Sequence, residues 1–398
     1  VKDKAIGVMG TFDSKGEEHL FLKRAIESRG FKTYAINLGT KGEAAFTPDL
    51  DIGAMVGRGK ERDEAIAEVL DAAKREVVRL YRDGRIAALI SAGGGSGTYL
   101  ATSVMKVLPF GVPKVMVSTV ASRDMSRTVG THDITMIHSV ADLLGVNSIS
   151  GIILEQAAAA VCGMLQRRWE PPSGRRRVAL TLFGFVTQAA EAIKGLLEGM
   201  GYEVIAFHAN GTGGMAMEEL AADGRFDGIL DLALHELADR MMGGYCGGIG
   251  PGRLEPVPHG SIPRLVVPGG LDCAVLEFTR ERVPEPYRAR KVFFYDFRSA
   301  IRLSQEESIR LAGEIAEKLN RHASPVRVLI PRGGWSEADR PGGPLYDPQV
   351  SGAFTEALRR GLRSDIQVCE VDEHINEPSF ARVAASMMAE MISGGKKS

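Results

Sequence analysis

Leu89-Ile90-Ser91-Ala92-Gly93-Gly94-Gly95-Ser96-Gly97-Thr98 decides how this 398-residue chain is read. An apolar run of strand length stops at five small residues, four of them glycine. Helical spacing resumes with Thr98-Tyr99-Leu100-Ala101-Thr102-Ser103-Val104-Met105. A strand, a glycine turn and a helix start in succession gather backbone N–H groups at the positive end of a helix dipole. Glycine also lets a ligand approach the backbone closely and permits positive φ. An anion, most often a phosphate, suits that place. The alternative is a tight turn with no ligand, but four glycines are more than a turn requires.

The loop departs from both common nucleotide signatures. A P-loop carries Lys-Ser/Thr directly after its last glycine, whereas Gly97 is followed by Thr98-Tyr99. A dinucleotide fingerprint would put its third glycine where Thr98 stands. It would also put an acidic residue about twenty positions on, where the chain reads Gly111-Val112-Pro113-Lys114. NAD binding of that kind is disfavoured, and a mononucleotide or a sugar phosphate remains open.

Working outward, Ala5-Ile6-Gly7-Val8-Met9 reads as a strand, followed by a turn over residues 10–16, a helix to about Arg29 and a strand over 33–38. A charged amphipathic helix over 61–83 leads into the decisive strand, and Val115-Met116-Val117-Ser118-Thr119 is the next one. Helices alternating with buried strands predict a parallel sheet with right-handed crossovers. Arg167-Arg168-Trp169-Glu170-Pro171-Pro172-Ser173-Gly174-Arg175-Arg176-Arg177 breaks the pattern and marks a domain boundary. The opening pattern then returns, with Val178-Ala179-Leu180-Thr181-Leu182-Phe183-Gly184, a helix to Met200, Gly201 and a strand over 203–207. Further strands are read at 228–232, 265–267, 292–295 and 326–330. The expected architecture is α/β: two tandem Rossmann-like open parallel-sheet domains, 1–172 and 173–398, with an interdomain cleft. Ligands of such sheets sit at the carboxyl ends of the strands.

Composition narrows the function classes. Lysine plus arginine (49) nearly cancels aspartate plus glutamate (50), so no global field draws nucleic acid or an anionic membrane. No apolar run reaches membrane-span length, and Val1-Lys2-Asp3-Lys4 is not a signal-peptide start. Cys162, Cys246, Cys273 and Cys369 are widely spaced and read as reduced thiols, neither a disulfide framework nor a zinc site. The reading is a cytoplasmic protein with no metal, no nucleic-acid partner and no membrane association.

Several segments, in this order, carry a family resemblance: Gly10-Thr11-Phe12-Asp13-Ser14-Lys15-Gly16-Glu17-Glu18, the glycine turn at 93–98, the stretch from Leu108 to Ser122, Asp133-Ile134-Thr135-Met136, and Ser139-Val140 with Asp142. Glu236-Leu237-Ala238-Asp239, Gly250-Pro251, Arg253-Leu254 and His374-Ile375-Asn376 extend it over essentially the whole chain. The sequence resembles the UPF0261 (Tm-1-like) family. That resemblance implies two Rossmann-like domains, ATP bound in the N-terminal half with or without Mg²⁺, and a homodimer or higher homo-oligomer. It implies no established reaction for bacterial members. One departure stands out: where the family commonly has a His-Asn-Pro segment leading into a Thr/Arg-rich stretch, this chain has Tyr295-Asp296-Phe297-Arg298-Ser299-Ala300-Ile301-Arg302.

The expected nucleotide site consists of residues 93–98 with Gly10, Thr11, Asp13, Lys15, Ser118, Thr119, Ala121 and Ser122. Lys15 offers a positive charge to a phosphate, and Asp13 offers a ligand for Mg²⁺ or ribose, or simply a helix cap. A second ligand, a small polar metabolite, is expected near Gly184, Thr187, Gly333, Gly334 and Ser336, with Glu236, Asp296, Arg298 and His374 as catalytic candidates. Two function classes follow. One is an ATP-dependent or phosphate-handling enzyme of small metabolites. The other is a non-catalytic, nucleotide-gated module that recognises another macromolecule.

Overall fold

The computed structural model describes residues 4–56, 62–167, 169–172, 174–258 and 261–394. The chain divides into two units, Val1–Pro171 and Pro172–Ser398. In the first, β1 (Ala5–Gly10), β2 (Lys32–Asn37), β3 (Leu50–Asp51), β4 (Ile86–Gly93), β5 (Lys114–Ser118) and β6 (Thr135–His138) form one sheet. Its order is β3-β2-β1-β4-β5-β6, and every pairing is parallel. A parallel sheet must be covered on both faces, which is why all six residues of β1 are buried. Side chains alternate across it: Ile6 and Val8 pack with Leu22, Ile26 and Leu154, whereas Met9 packs with Val69, Leu100 and Met116. The small-residue helix Ser150–Leu165 thus buries Leu154, Ala157, Ala158 and Val161 against its own unit's sheet.

The second unit contains β7 (Arg177–Leu182), β8 (Glu203–His208), β9 (Gly228–Ala233) and β10 (Arg264–Gly269). β11 (Cys273–Leu276), β12 (Val292–Phe294) and β13 (Ser299–Arg302) follow, then β14 (Val326–Pro331) and β15 (Gln367–Val371). The main sheet has the order β15-β14-β10-β9-β7-β8 and is parallel. The run expected at 292–295 is not one of its strands. As β12 it joins a separate antiparallel sheet, β11-β13-β12, inserted between β10 and β14. A three-residue apolar run carries no mark of the sheet it will join, because partner choice is a tertiary matter.

Strand order reverses between β1 and β4 in the first unit and between β7 and β9 in the second. At such a point the connections leave to opposite sides and open a crevice beyond the carboxyl ends of the two strands. Both crevices fall where the sequence places its glycine and polar turns.

Candidate functional site

The first crevice is a cavity of about 610 Å³. Three turns line it: Thr11, Asp13, Ser14 and Lys15 after β1, Leu38, Gly39, Thr40 and Lys41 after β2, and residues 93–97 after β4. Ala65, Ile66, Val69 and Leu100 supply an apolar wall from the flanking helices.

The helix after β4 runs Gly95–Met105, so it begins inside the glycine run and not at Thr98. First-turn amides have no carbonyl of their own helix to bond, and here they open on the cavity. None of these glycines has a positive φ; their use is space. A Cβ on Gly93 would sit 3.1 Å from the Cα of Gly97, so that pair lets the strand end and the helix start meet. At Gly95 and Gly97 a Cβ would meet nothing within 4 Å, and bare backbone faces the cavity.

The residues beneath the turn hold it in place. Thr98 and Ser118 are buried with their hydroxyls 2.7 Å apart, tying the helix to β5. Gly10 is small because His19 lies against it: a Cβ there would be 2.0 Å from His19 Nε2. His19 Nδ1 donates to the Lys15 carbonyl at 2.6 Å, and Nε2 accepts from the Ala92 amide at 3.3 Å. That pairing fixes the tautomer of a neutral ring, and burial holds its pKa down to about 4 despite two backbone carbonyls that favour the charged form. His19 thereby clamps the ends of β1 and β4 under the cavity.

Of the expected nucleotide residues, Thr11, Asp13, Lys15 and 93–97 line the cavity. Gly10, Thr98 and Ser118 support it from below, and Thr119, Ala121 and Ser122 are not among its lining residues. Asp13 does not cap the helix, and its Oδ2 accepts the amides of Lys41 and Gly42 at 2.8 and 3.2 Å. The Lys15 ammonium donates to the Leu143 carbonyl. Sequence reasoning missed the β2 turn, although Leu38-Gly39-Thr40-Lys41-Gly42 repeats the strand-then-glycine signal.

The second crevice is built otherwise. Phe183, just past β7, stacks on His235, just past β9, at 3.9 Å between ring centroids, and both are buried. Beside them lies a buried ion cluster. Arg253 reaches Glu236 at 2.5 Å, Asp231 at 2.7 Å and Glu218 at 2.8 Å, and Arg264 reaches Glu218 at 2.5 Å and Asp231 at 3.2 Å. Burial pushes the Glu218 carboxyl up, but the two guanidiniums overrule it and hold it at about 2. For Glu236 burial prevails, and its pKa rises in spite of Arg253.

The catalytic candidates take separate partners here. Glu236 belongs to the ion cluster, Asp296 and Arg298 pair with each other at 2.7 Å at the β12–β13 turn, and His374 Nε2 bonds the Ser336 carbonyl at 2.9 Å. Nor do Gly184, Thr187, Gly333, Gly334 and Ser336 frame an open anion turn. Thr187 donates to the Phe183 carbonyl at 3.3 Å, and Ser336 is buried and donates to Asp272 at 2.8 Å. A Cβ on Gly333 would lie 2.6 Å from the His374 amide nitrogen. Gly334, at φ +129°, would place one 1.5 Å from the Asp339 carbonyl. These glycines are needed for close backbone packing. Gly184 starts the turn Gly184–Val186, with open space around its Cα.

The family descriptions match both units: "Uncharacterised protein family (UPF0261) N-terminal domain" over residues 4–170 and "Uncharacterised protein family (UPF0261) C-terminal domain" over 175–392. The chain belongs to the UPF0261 family. It is 37% identical to a UPF0261 protein of Clostridium tetani, covering 98% of this chain and 99% of that one. It is 31% identical to the ToMV resistance protein Tm-1(GCR237) of Solanum lycopersicum, over 96% of this chain but only 55% of the tomato protein. Among solved structures, Acinetobacter baumannii MurG aligns over 97% of this chain and 99% of its own, at 11% identity and a TM-score of 0.26. So loose a superposition transfers nothing to this UPF0261 chain. No helix among the described residues is long and apolar enough to cross a membrane.

Proposed function

We propose that the first unit binds ATP or a closely related mononucleotide in the cavity beyond β1, β2 and β4. The observation that carries this reading is the mixed character of the cavity: bare glycine amides at a helix N-terminus beside an apolar wall of Leu38, Ala65, Ile66, Val69 and Leu100. Phosphates suit the amides and a flat base suits the wall, whereas a sugar phosphate would leave the wall unused. The volume, about 610 Å³, lies within the range of small-ligand sites. Lys41 lines the cavity and adds a positive charge, and any Mg²⁺ arriving with the phosphates would find Asp13 on the same wall, its Oδ2 held by the Lys41 and Gly42 amides.

Titration calorimetry with ATP, with and without Mg²⁺, tests the proposal. Micromolar binding should weaken at least tenfold, about 1.4 kcal/mol, in Gly95→Asp, whose carboxylate would occupy the anion position. Absence of binding to the unaltered chain would sink the nucleotide reading and leave sugar phosphates. Of the two function classes, a nucleotide-gated recognition module fits the separate partners of Glu236, Asp296, Arg298 and His374 better than an enzyme does. ATP turnover by the purified chain would reverse that preference.

A further inference from the structure

The second crevice assembles three donors that the sequence keeps apart. His235 and Asp239 stand four positions apart on the helix His235–Met242, hence on one face of it. Gly243 ends the helix in the left-handed conformation, φ 67° and ψ 32°, and sends the chain back along it. The returning loop lies with its backbone against the helix. A Cβ on Gly244 would come within 2.8 Å of Asp239 Cγ, and one on Gly247 within 2.9 Å of Arg240 Cα. Only a loop with glycine at both positions can lie so close, and its course brings Cys246 over Asp239. The Cys246 amide donates to Asp239 Oδ2 at 2.8 Å, and the Val275 amide donates to Oδ1 at 2.6 Å.

The result is an imidazole nitrogen, a carboxylate oxygen and a sulfur, all from buried residues and all within 4.8 Å of one another. His235 Nδ1 is buried without a hydrogen-bond partner, and its ring is held in plane by Phe183. An unpaired buried ring nitrogen calls for an explanation.

We infer that His235, Asp239 and Cys246 form a binding site for a borderline-soft divalent metal ion, Zn²⁺ before others, in the second unit. Nitrogen, oxygen and thiolate sulfur are the donors zinc accepts, and in a tetrahedral site they lie about 3.5 Å from one another, a modest contraction from the present spacing. The thiol proton leaves to solvent when the sulfur binds the metal. Three protein ligands leave one position for water or a ligand oxygen. The site does not depend on the nucleotide reading, because every ligand lies in the second unit.

Titration of the chelator-stripped full chain with Co²⁺, used as a spectroscopic stand-in for Zn²⁺, tests the site. One equivalent should bind with a thiolate-to-cobalt charge-transfer band that Zn²⁺ abolishes by displacement. Cys246→Ser should remove the band, and Cys369→Ser, on the edge strand β15, should leave it. His235→Gln should weaken cobalt binding at least tenfold, and it decides the question if Cys246→Ser does not fold. Absence of the band in the unaltered chain, or its survival in Cys246→Ser, overturns the inference.

Discussion

The two units place a crevice at the same point of the same kind of sheet and treat it in opposite ways. The first ends β1 and β4 on Gly10 and Gly93, keeps glycines at 94, 95 and 97, and leaves a cavity of about 610 Å³. The second ends β7 and β9 on Leu182 and Ala233 and sets the stacked rings of Phe183 and His235 just past them. Beside those rings Arg253 and Arg264 pair with Glu218, Asp231 and Glu236, while His235 Nδ1 stays without a hydrogen-bond partner. What the difference teaches is that topology supplies the place, while the residues at the strand ends decide what it presents: bare backbone in the first unit, ring and carboxylate side chains in the second.

The sharpest way to break this comparison is to remove the charge at the centre of the second unit. Arg253→Ala leaves Glu218, Asp231 and Glu236 short of their shared partner in a buried setting, and should cost about 3–5 kcal/mol. Urea denaturation followed by a probe in the second unit reads the loss. A midpoint unchanged from that of the unaltered chain would mean that the cluster is not a structural centre.

Acid should act on the first unit through His19. Its folded pKa of about 4 lies below the ordinary value of 6.5, so the folded state binds fewer protons than the unfolded one. The stability held above pH 6.5 is then lost as pH falls towards 4. Between pH 7.5 and pH 5 the loss should be about 2 kcal/mol. Hydrogen exchange of the β1 amides reads it locally, and His19→Gln, which can still donate and accept, should flatten the slope. A slope unchanged in that variant would assign the acid response to other groups.

The smallest stability effect is expected in the open crevice. A side chain at Gly95 meets open space, and aspartate suits a helix N-terminus, so Gly95→Asp should alter stability by no more than about 0.5 kcal/mol while weakening ATP. Joint loss of fold and binding would show that the turn is a packing element and that the two crevices differ less than their geometry indicates.

Much of this was legible in the chain. Apolar runs of strand length, helical spacing between them and glycine at the strand ends are local signals, so the alternation of elements and the turn at 93–97 follow from sequence alone. The family motifs were legible for the same reason: they are contiguous. The inward turn of Thr98 and Ser118 was not legible, because a hydroxyl at a strand end looks the same whether it meets a ligand or its neighbour. The role of His19 was likewise hidden, since Gly10 and Ala92 reach it from different strands.

The sequence by itself determined that this is an α/β chain of the UPF0261 family with a glycine turn between a strand and a helix, because those properties lie in neighbouring residues and their spacing. The tertiary structure alone decided that the β2 turn joins the cavity, that Phe183 stacks on His235, and that His235 and Asp239 meet Cys246. Strand order and chain reversals bring those groups together, and the free energy that fixes them is the burial of whole faces, which short stretches of sequence do not encode.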